Sequence, residues 1–322
     1  MAINIKKTSA MVLLKTILLI AIAVSIYLFI PFNDILHSIY STNLILFSLS
    51  LLISFPAFFL TTLSTWILAK KLGIQVPIKE FYIFNLTTRF YGFFSPLSTI
   101  ATGMRWQKLS VNKKYAEALS AITFTRFFSI VSAVVSGLFW ALFKVNQDWK
   151  ILPWFIGLLG ILYFGWNSIT RFSPNIGLFI EKQQTKNWHP VFNKILGFSK
   201  KYIDSIQVYS AMPIKVLSTV ILLNFSNDLL GLLAHVLLAQ ALNIPLTLYD
   251  LGWVRSISFL LSVIPVTLPG GIGVREVTLV VLLSALKVPP DVSAAYSLLI
   301  YSRGVIISLL CGIFAIGTIT RD

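Results

Sequence analysis

Long uncharged apolar runs alternate with short basic segments along the chain. The runs near 11–31, 43–69, 115–143, 151–170, 214–241 and 291–319 are long enough to cross a bilayer as helices, for which about 20 residues are needed. Two further apolar segments, about 81–103 and 251–288, are interrupted by proline and glycine. Proline removes a backbone donor and glycine loosens the chain, so a helix breaks there. In a bilayer, broken backbone is tolerated only where protein or a wet cavity surrounds it. The pattern predicts an all-α, polytopic integral membrane protein with six full spans and two broken, re-entrant hairpins. The first run, Met11 to Ile30, is too long for a signal-peptide core and lacks a small-residue cleavage site, so a retained anchor is expected.

Composition agrees. Of 322 residues 57% are hydrophobic and only 11% charged, with mean hydropathy +0.84. The net charge of +15 comes from lysines at the ends of spans rather than from a nucleic-acid-binding face. With the N-terminus inside, 15 of 18 lysines fall in cytoplasmic segments, while Asp34, Asp148 and Asp250 fall outside. That bias follows the positive-inside rule and points to a multi-pass plasma-membrane protein. Basic segments also attract anionic headgroups. One cysteine, Cys311, and three scattered histidines offer neither a disulfide nor a metal motif.

The lysine bias holds only if each broken segment enters and leaves by one face, the first from inside and the second from outside. Two such hairpins describe an inverted repeat, and the residues support it. At an offset of 170, Leu68-Ala69 matches Leu238-Ala239, Ile74 matches Ile244, Gly103 matches Gly273 and Arg105 matches Arg275. After seven further residues, Arg126 aligns with Arg303. The expected divisions are an anchor span (1–37), a first pseudo-repeat (38–144), a span with a basic cytoplasmic linker (145–207) and a second pseudo-repeat (208–322). Within the linker, residues 171–212 fit either an amphipathic surface helix or a solvated loop with one packed face.

Pro265, Pro269, Gly270, Gly271 and Gly273 mark the second backbone break, beside Arg275 and Glu276. Arg105, Arg126, Arg255, Arg275 and Arg303 lie in or beside membrane segments. An arginine at mid-membrane costs roughly 2.5–3.5 kcal/mol on insertion scales, so each needs a partner, water or an anionic ligand. The planar guanidinium also suits phosphate better than lysine does. Arg105, Arg126, Arg275, Glu276, Arg303 and Asp228 are therefore the candidate binding or gating residues. The competing reading is structural pairing of the arginines with Glu276, Asp228 and Glu117. Asn224, Asp228, Gly231 and His235 share one helix face, either as a cavity lining or as a packed interface. No nucleophile elbow, metal-ligand spacing, cofactor motif or ATPase loop is present, so neither enzyme activity nor a cofactor is expected.

Pro269-Gly-Gly-Ile-Gly-Val-Arg-Glu276, an apolar half-helix and then Arg303 resemble the lysylphosphatidylglycerol synthase transmembrane-region family, the flippase-like part of bacterial multiple peptide resistance factors. The resemblance spans roughly 40–320. Pro96, Gly103, Arg105 and Arg126 look like the first-half counterpart, although Met104-Arg105-Trp106 stands where an acidic residue follows the glycine in the family. The resemblance implies translocation of an anionic phospholipid or a lipid-linked phosphate or sugar between leaflets. It also implies headgroup or gating roles for Arg275, Glu276, Arg126 and Arg303. The chain ends a few residues after its last span, so no lysyl transfer is expected. Alternatives are a transporter or channel for a small soluble anion and a scaffold in envelope assembly. The expected partners are anionic membrane lipids, with a second copy of the chain or an envelope-biosynthesis protein as further candidates.

Overall fold

The computed structural model describes residues 40, 42–94, 99–143, 152–186, 189–262 and 274–319, with side chains left aside at 94, 99, 274–276 and 315–319. Among these residues there are helices and no strands. They are α1 (Leu44–Leu52), α2 (Ser54–Lys71), α3 (Ile78–Phe94), α4 (Thr99–Leu109), α5 (Tyr115–Leu142), α6 (Leu152–Gln184), α7 (Pro190–Ser210), α8 (Ile214–Ala241), α9 (Leu248–Ser262), α10 (Val274–Ala285) and α11 (Pro290–Ile319). Five stretches are long and apolar enough to cross a membrane: 44–71, 115–142, 152–184, 214–241 and 290–314. The expected span at 11–31 lies outside the described residues. Each interrupted segment becomes two short helices, α3 with α4 and α9 with α10, and both breaks also lie outside the described residues.

The two halves repeat the same sequence of helices. Shifting α1–α2 by 170 residues lays it on α8 from end to end, and the same shift lays the start of α3 on the start of α9. Both α2 and α8 close with one hydrogen-bonded turn. Ile74 N donates to Ala69 O (3.0 Å) and Ile244 N to Ala239 O (2.9 Å), with Gly73 and Asn243 left-handed at φ +71° and +53°. Gly73 takes that conformation without a Cβ clash, and Lys114 Nζ donates to the freed Leu72 and Gly73 carbonyls.

The equivalent helices run in opposite directions. Asn43 N meets Ala241 O, Thr61 meets Asn227, and Asn224 meets Ser64, so numbers rise on one helix as they fall on the other. Antiparallel equivalents make the repeat inverted. The halves also exchange partners: α3 packs on α11, and α9 packs on α5. Small residues let these pairs approach. A side chain on Gly252 of α9 would overlap Trp140 of α5, and one on Gly304 of α11 would press on Phe93 of α3.

The helix α6 runs past the expected end near 170 to Gln184, although Pro174 sits inside it. Pro174 cannot bond the Thr170 carbonyl, and the Ser173 hydroxyl bonds it instead at 3.0 Å. Most of the apolar side chains of α6 point outward (Trp154 is 77% and Phe164 70% exposed), as expected of a surface in contact with lipid tails. The amphipathic helix, not the loop, follows as α7. It starts at Pro190 and buries Ser205, Ile206 and Tyr209 against the bundle, where Ile206 and Tyr209 pack with Leu68 and Phe124. Its other face carries Val191, Ile195, Lys194 and Lys201 outward.

Candidate functional site

Four arginines of the first half and the last helix form a staircase through the bundle. Arg126 on α5 is exposed and donates to Thr102 Oγ1 on α4 at 2.8 Å. One turn along α4, Arg105 donates from Nε to Thr88 Oγ1 on α3 at 3.2 Å. The next residue on α3, Arg89, lays its guanidinium over the Phe58 ring of α2, 3.7 Å from the centroid. One turn before Phe58, Ser54 Oγ accepts from Arg303 of α11 at 2.6 Å, and Ser50 O accepts from Arg303 Nε at 3.1 Å. Neighbouring steps are close enough to repel: Arg126 with Arg105, Arg105 with Arg89, Arg89 with Arg303.

Hydroxyls, a carbonyl and an aromatic face meet these cations. Among the described residues, no carboxylate lies within ion-pair distance of Arg89, Arg105 or Arg126. Glu117, on the same helix as Arg126, is nine residues away, about 13 Å along the axis. Arg89 is exposed and Arg105 half-buried. Beside them, the space a side chain on Gly103 would enter is open.

The other intramembrane arginine has a different setting. Arg255 of α9 donates from both terminal nitrogens to Asp228 Oδ1 of α8, at 3.2 and 3.3 Å, and Ser132 of α5 donates to Oδ2 at 2.7 Å. Both side chains are enclosed, 13% and 5% exposed. Gly231 makes room, since any side chain there would overlap the guanidinium. On the same face of α8, Asn224 donates to Ser64 Oγ and accepts from Ser129, while His235 meets Tyr296 OH at 3.1 Å. The polar stripe of α8 thus bonds to α2, α5, α9 and α11 as a packed interface.

Arg105, Arg126 and Arg303 come together, and Asp228 stands apart from them as the partner of Arg255. Arg275 and Glu276 open α10, which packs on α9 and α11, and their side chains lie outside the described residues. Pro265, Pro269, Gly270, Gly271 and Gly273 lie outside them altogether. Sequence reasoning passed over Arg89, although a cation inside an apolar segment is the same signal that singled out Arg105. Among the described residues, no three His, Cys, Asp or Glu side chains converge as a metal would need.

The model of the lysylphosphatidylglycerol synthase TM region family matches residues 16–312. The chain belongs to that family. The resemblance carried by Pro269–Glu276 therefore extends over nearly the whole protein, both halves of the inverted repeat included. No curated protein and no solved structure matches it. The protein is thus a helical membrane protein of a family related to lipid handling.

Proposed function

We propose that the protein translocates a lipid with an anionic, phosphate-bearing headgroup between leaflets, by binding rather than by a covalent step. The observation that carries the reading is the staircase Arg126–Arg105–Arg89–Arg303. Three of its cations lack a carboxylate partner among the described residues, and they run from exposed Arg126 through half-buried Arg105 to exposed Arg89, beside half-buried Arg303. A cation in a membrane segment without a counter-charge is unfavourable, so an entering anion stabilises the site as it binds. The headgroup would enter at Arg126 and pass to Arg105 and Arg89 while its tails stay in the bilayer. Arginine supplies the bidentate geometry that phosphate accepts.

Movement between faces fits the inverted repeat, in which related halves rock about a central site. The exchange of partners ties α3 to α11 and α9 to α5, so each broken hairpin would move with the last helix of the other half. The lysine bias supports a plasma-membrane setting with the N-terminus inside.

The test is leaflet exchange of fluorescent anionic and zwitterionic lipids in liposomes holding the purified protein, with Arg105→Gln as the comparison. Fast exchange of the anionic probe that the variant loses supports the reading. Equal rates in the variant and the parent would sink it, and a soluble anion as cargo would take its place.

A further inference from the structure

From the charge inventory of the staircase we propose that its ligand is a phosphate bearing two or more negative charges, a monoester or diphosphate, in preference to the single-charged phosphodiester of ordinary phospholipids. The inference rests on the anion-binding reading above and narrows it. Arg89, Arg105 and Arg126 stand in sequence with no carboxylate within ion-pair distance among the described residues. A phosphodiester supplies one negative charge and leaves most of that repulsion in place. A phosphomonoester brings about 1.5 to 2 charges at neutral pH, and a diphosphate ester brings more.

The walls sharpen the discrimination. The Phe58 ring lies against one face of the Arg89 guanidinium, 3.7 Å from its centroid. Apolar surroundings lower the local dielectric, and each charge then counts for more than it would in water. Hydrogen bonding agrees, because a terminal phosphate presents three oxygens to forked donors on α3, α4 and α5, whereas a diester has two free.

The experiment is calorimetric binding to the detergent-solubilised full-length chain. The probes are geranyl diphosphate, geranyl monophosphate, short-chain phosphatidylglycerol and inorganic diphosphate. The expected ranking places geranyl diphosphate first and the diester last, at least tenfold apart. Arg89→Gln with Arg105→Gln should weaken geranyl diphosphate at least tenfold and flatten the ranking. Arg89→Lys with Arg105→Lys keeps the charges and so should keep the ranking at lower affinity, which serves if the glutamine pair fails to fold. Phosphatidylglycerol binding as tightly as geranyl diphosphate would overturn the charge preference and leave lipid translocation standing. Inorganic diphosphate binding as tightly as its geranyl ester would uphold the charge preference and defeat the lipid reading. A ranking unchanged in the glutamine pair would remove the staircase as the site.

Discussion

The two halves of the repeat place equivalent helices in equivalent contacts and then fill the equivalent positions differently. In the second half, Asp228 of α8 holds Arg255 of α9. At the offset of 170 those positions become Phe58 of α2 and Asn85 of α3. One turn beyond Asn85 the first half carries Arg89, which meets the ring of Phe58 instead of a carboxylate. The Asn85 amide donates to Thr62, and its oxygen is buried with no partner. The second half neutralises its buried arginine within the protein, and the first leaves its cations open. A symmetric backbone therefore does not imply symmetric roles. One half pairs its arginine with an acid, and the other carries arginines that meet hydroxyls and a ring.

The largest expected effect comes from breaking the closed half. Asp228→Ala leaves Arg255 buried and unpaired, and unfolding in detergent should show a loss of about 3–5 kcal/mol. Replacing both, as Asp228→Leu with Arg255→Met, should recover most of that loss, because an apolar pair of similar volume is often no worse than a buried ion pair. If the double variant is as unstable as the single one, the pair does not brace the bundle. Arg89→Gln, in the open half, should leave stability nearly unchanged, since it removes a repelled charge.

Packing between the exchanged helices gives the next effect. Gly252→Ala drives a methyl into the base of the Trp140 side chain, and about 1–3 kcal/mol should be lost. Gly304→Ala meets only the outer edge of the Phe93 ring, which can turn aside, so its cost should be the smaller of the two. A reversed order would show that the α9–α5 contact is the looser of the exchanged pair. Function should respond in the other half: Arg105→Gln is expected to slow lipid exchange at least tenfold, equivalent to about 1.4 kcal/mol of barrier, at unchanged melting temperature.

The smallest effect lies outside the bundle. Lys200 on α7 bonds Glu181 of α6 at 2.8 Å, and that hydrogen bond raises the lysine pKa above its ordinary 10.5, with burial opposing slightly. A raised lysine stabilises the folded state fully below pH 10.5 and loses that contribution as pH climbs through the raised value. Docking of α7, followed by exchange of its amide protons, should therefore loosen slightly in strong alkali, and Lys200→Ala should abolish that dependence. The pair is well solvated, so salt should mask the effect.

Much of this was legible in the residues, for physical reasons. Membrane spans declare themselves because water is excluded from the bilayer core, and the end turns repeat because Gly73 and Asn243 both tolerate a left-handed backbone. Arg105, Arg126 and Arg303 stood out as cations that lipid would reject. Which of them share a site was not legible, because that depends on the exchange of α3 and α9 between halves, and no local pattern encodes a partner some 200 residues away. The role of Asp228 stayed open between cavity lining and packed interface for the same reason: its fate hinges on Arg255 arriving from the next helix. The length of α6 was hidden by the polar and basic residues from Arg171 onward, although the helix continues through Pro174, where the Ser173 hydroxyl bonds the Thr170 carbonyl.

The exchanged packing also has a consequence in time. The helix α3 ends at Phe94, but its partner α11 begins at Pro290, so about 200 residues must be synthesised before the two can meet. At roughly 5–20 residues per second, the nascent first half waits about 10–40 seconds with one flank of α3 uncovered. Its arginines wait with it, beside a translocation machine that itself favours apolar helices. The second half has no such delay, because α5 is already in place when α9 emerges. Arg303 arrives last of the four, so the staircase is completed only when the final helix is laid down, and a chain cut short before α11 would be born without its innermost step.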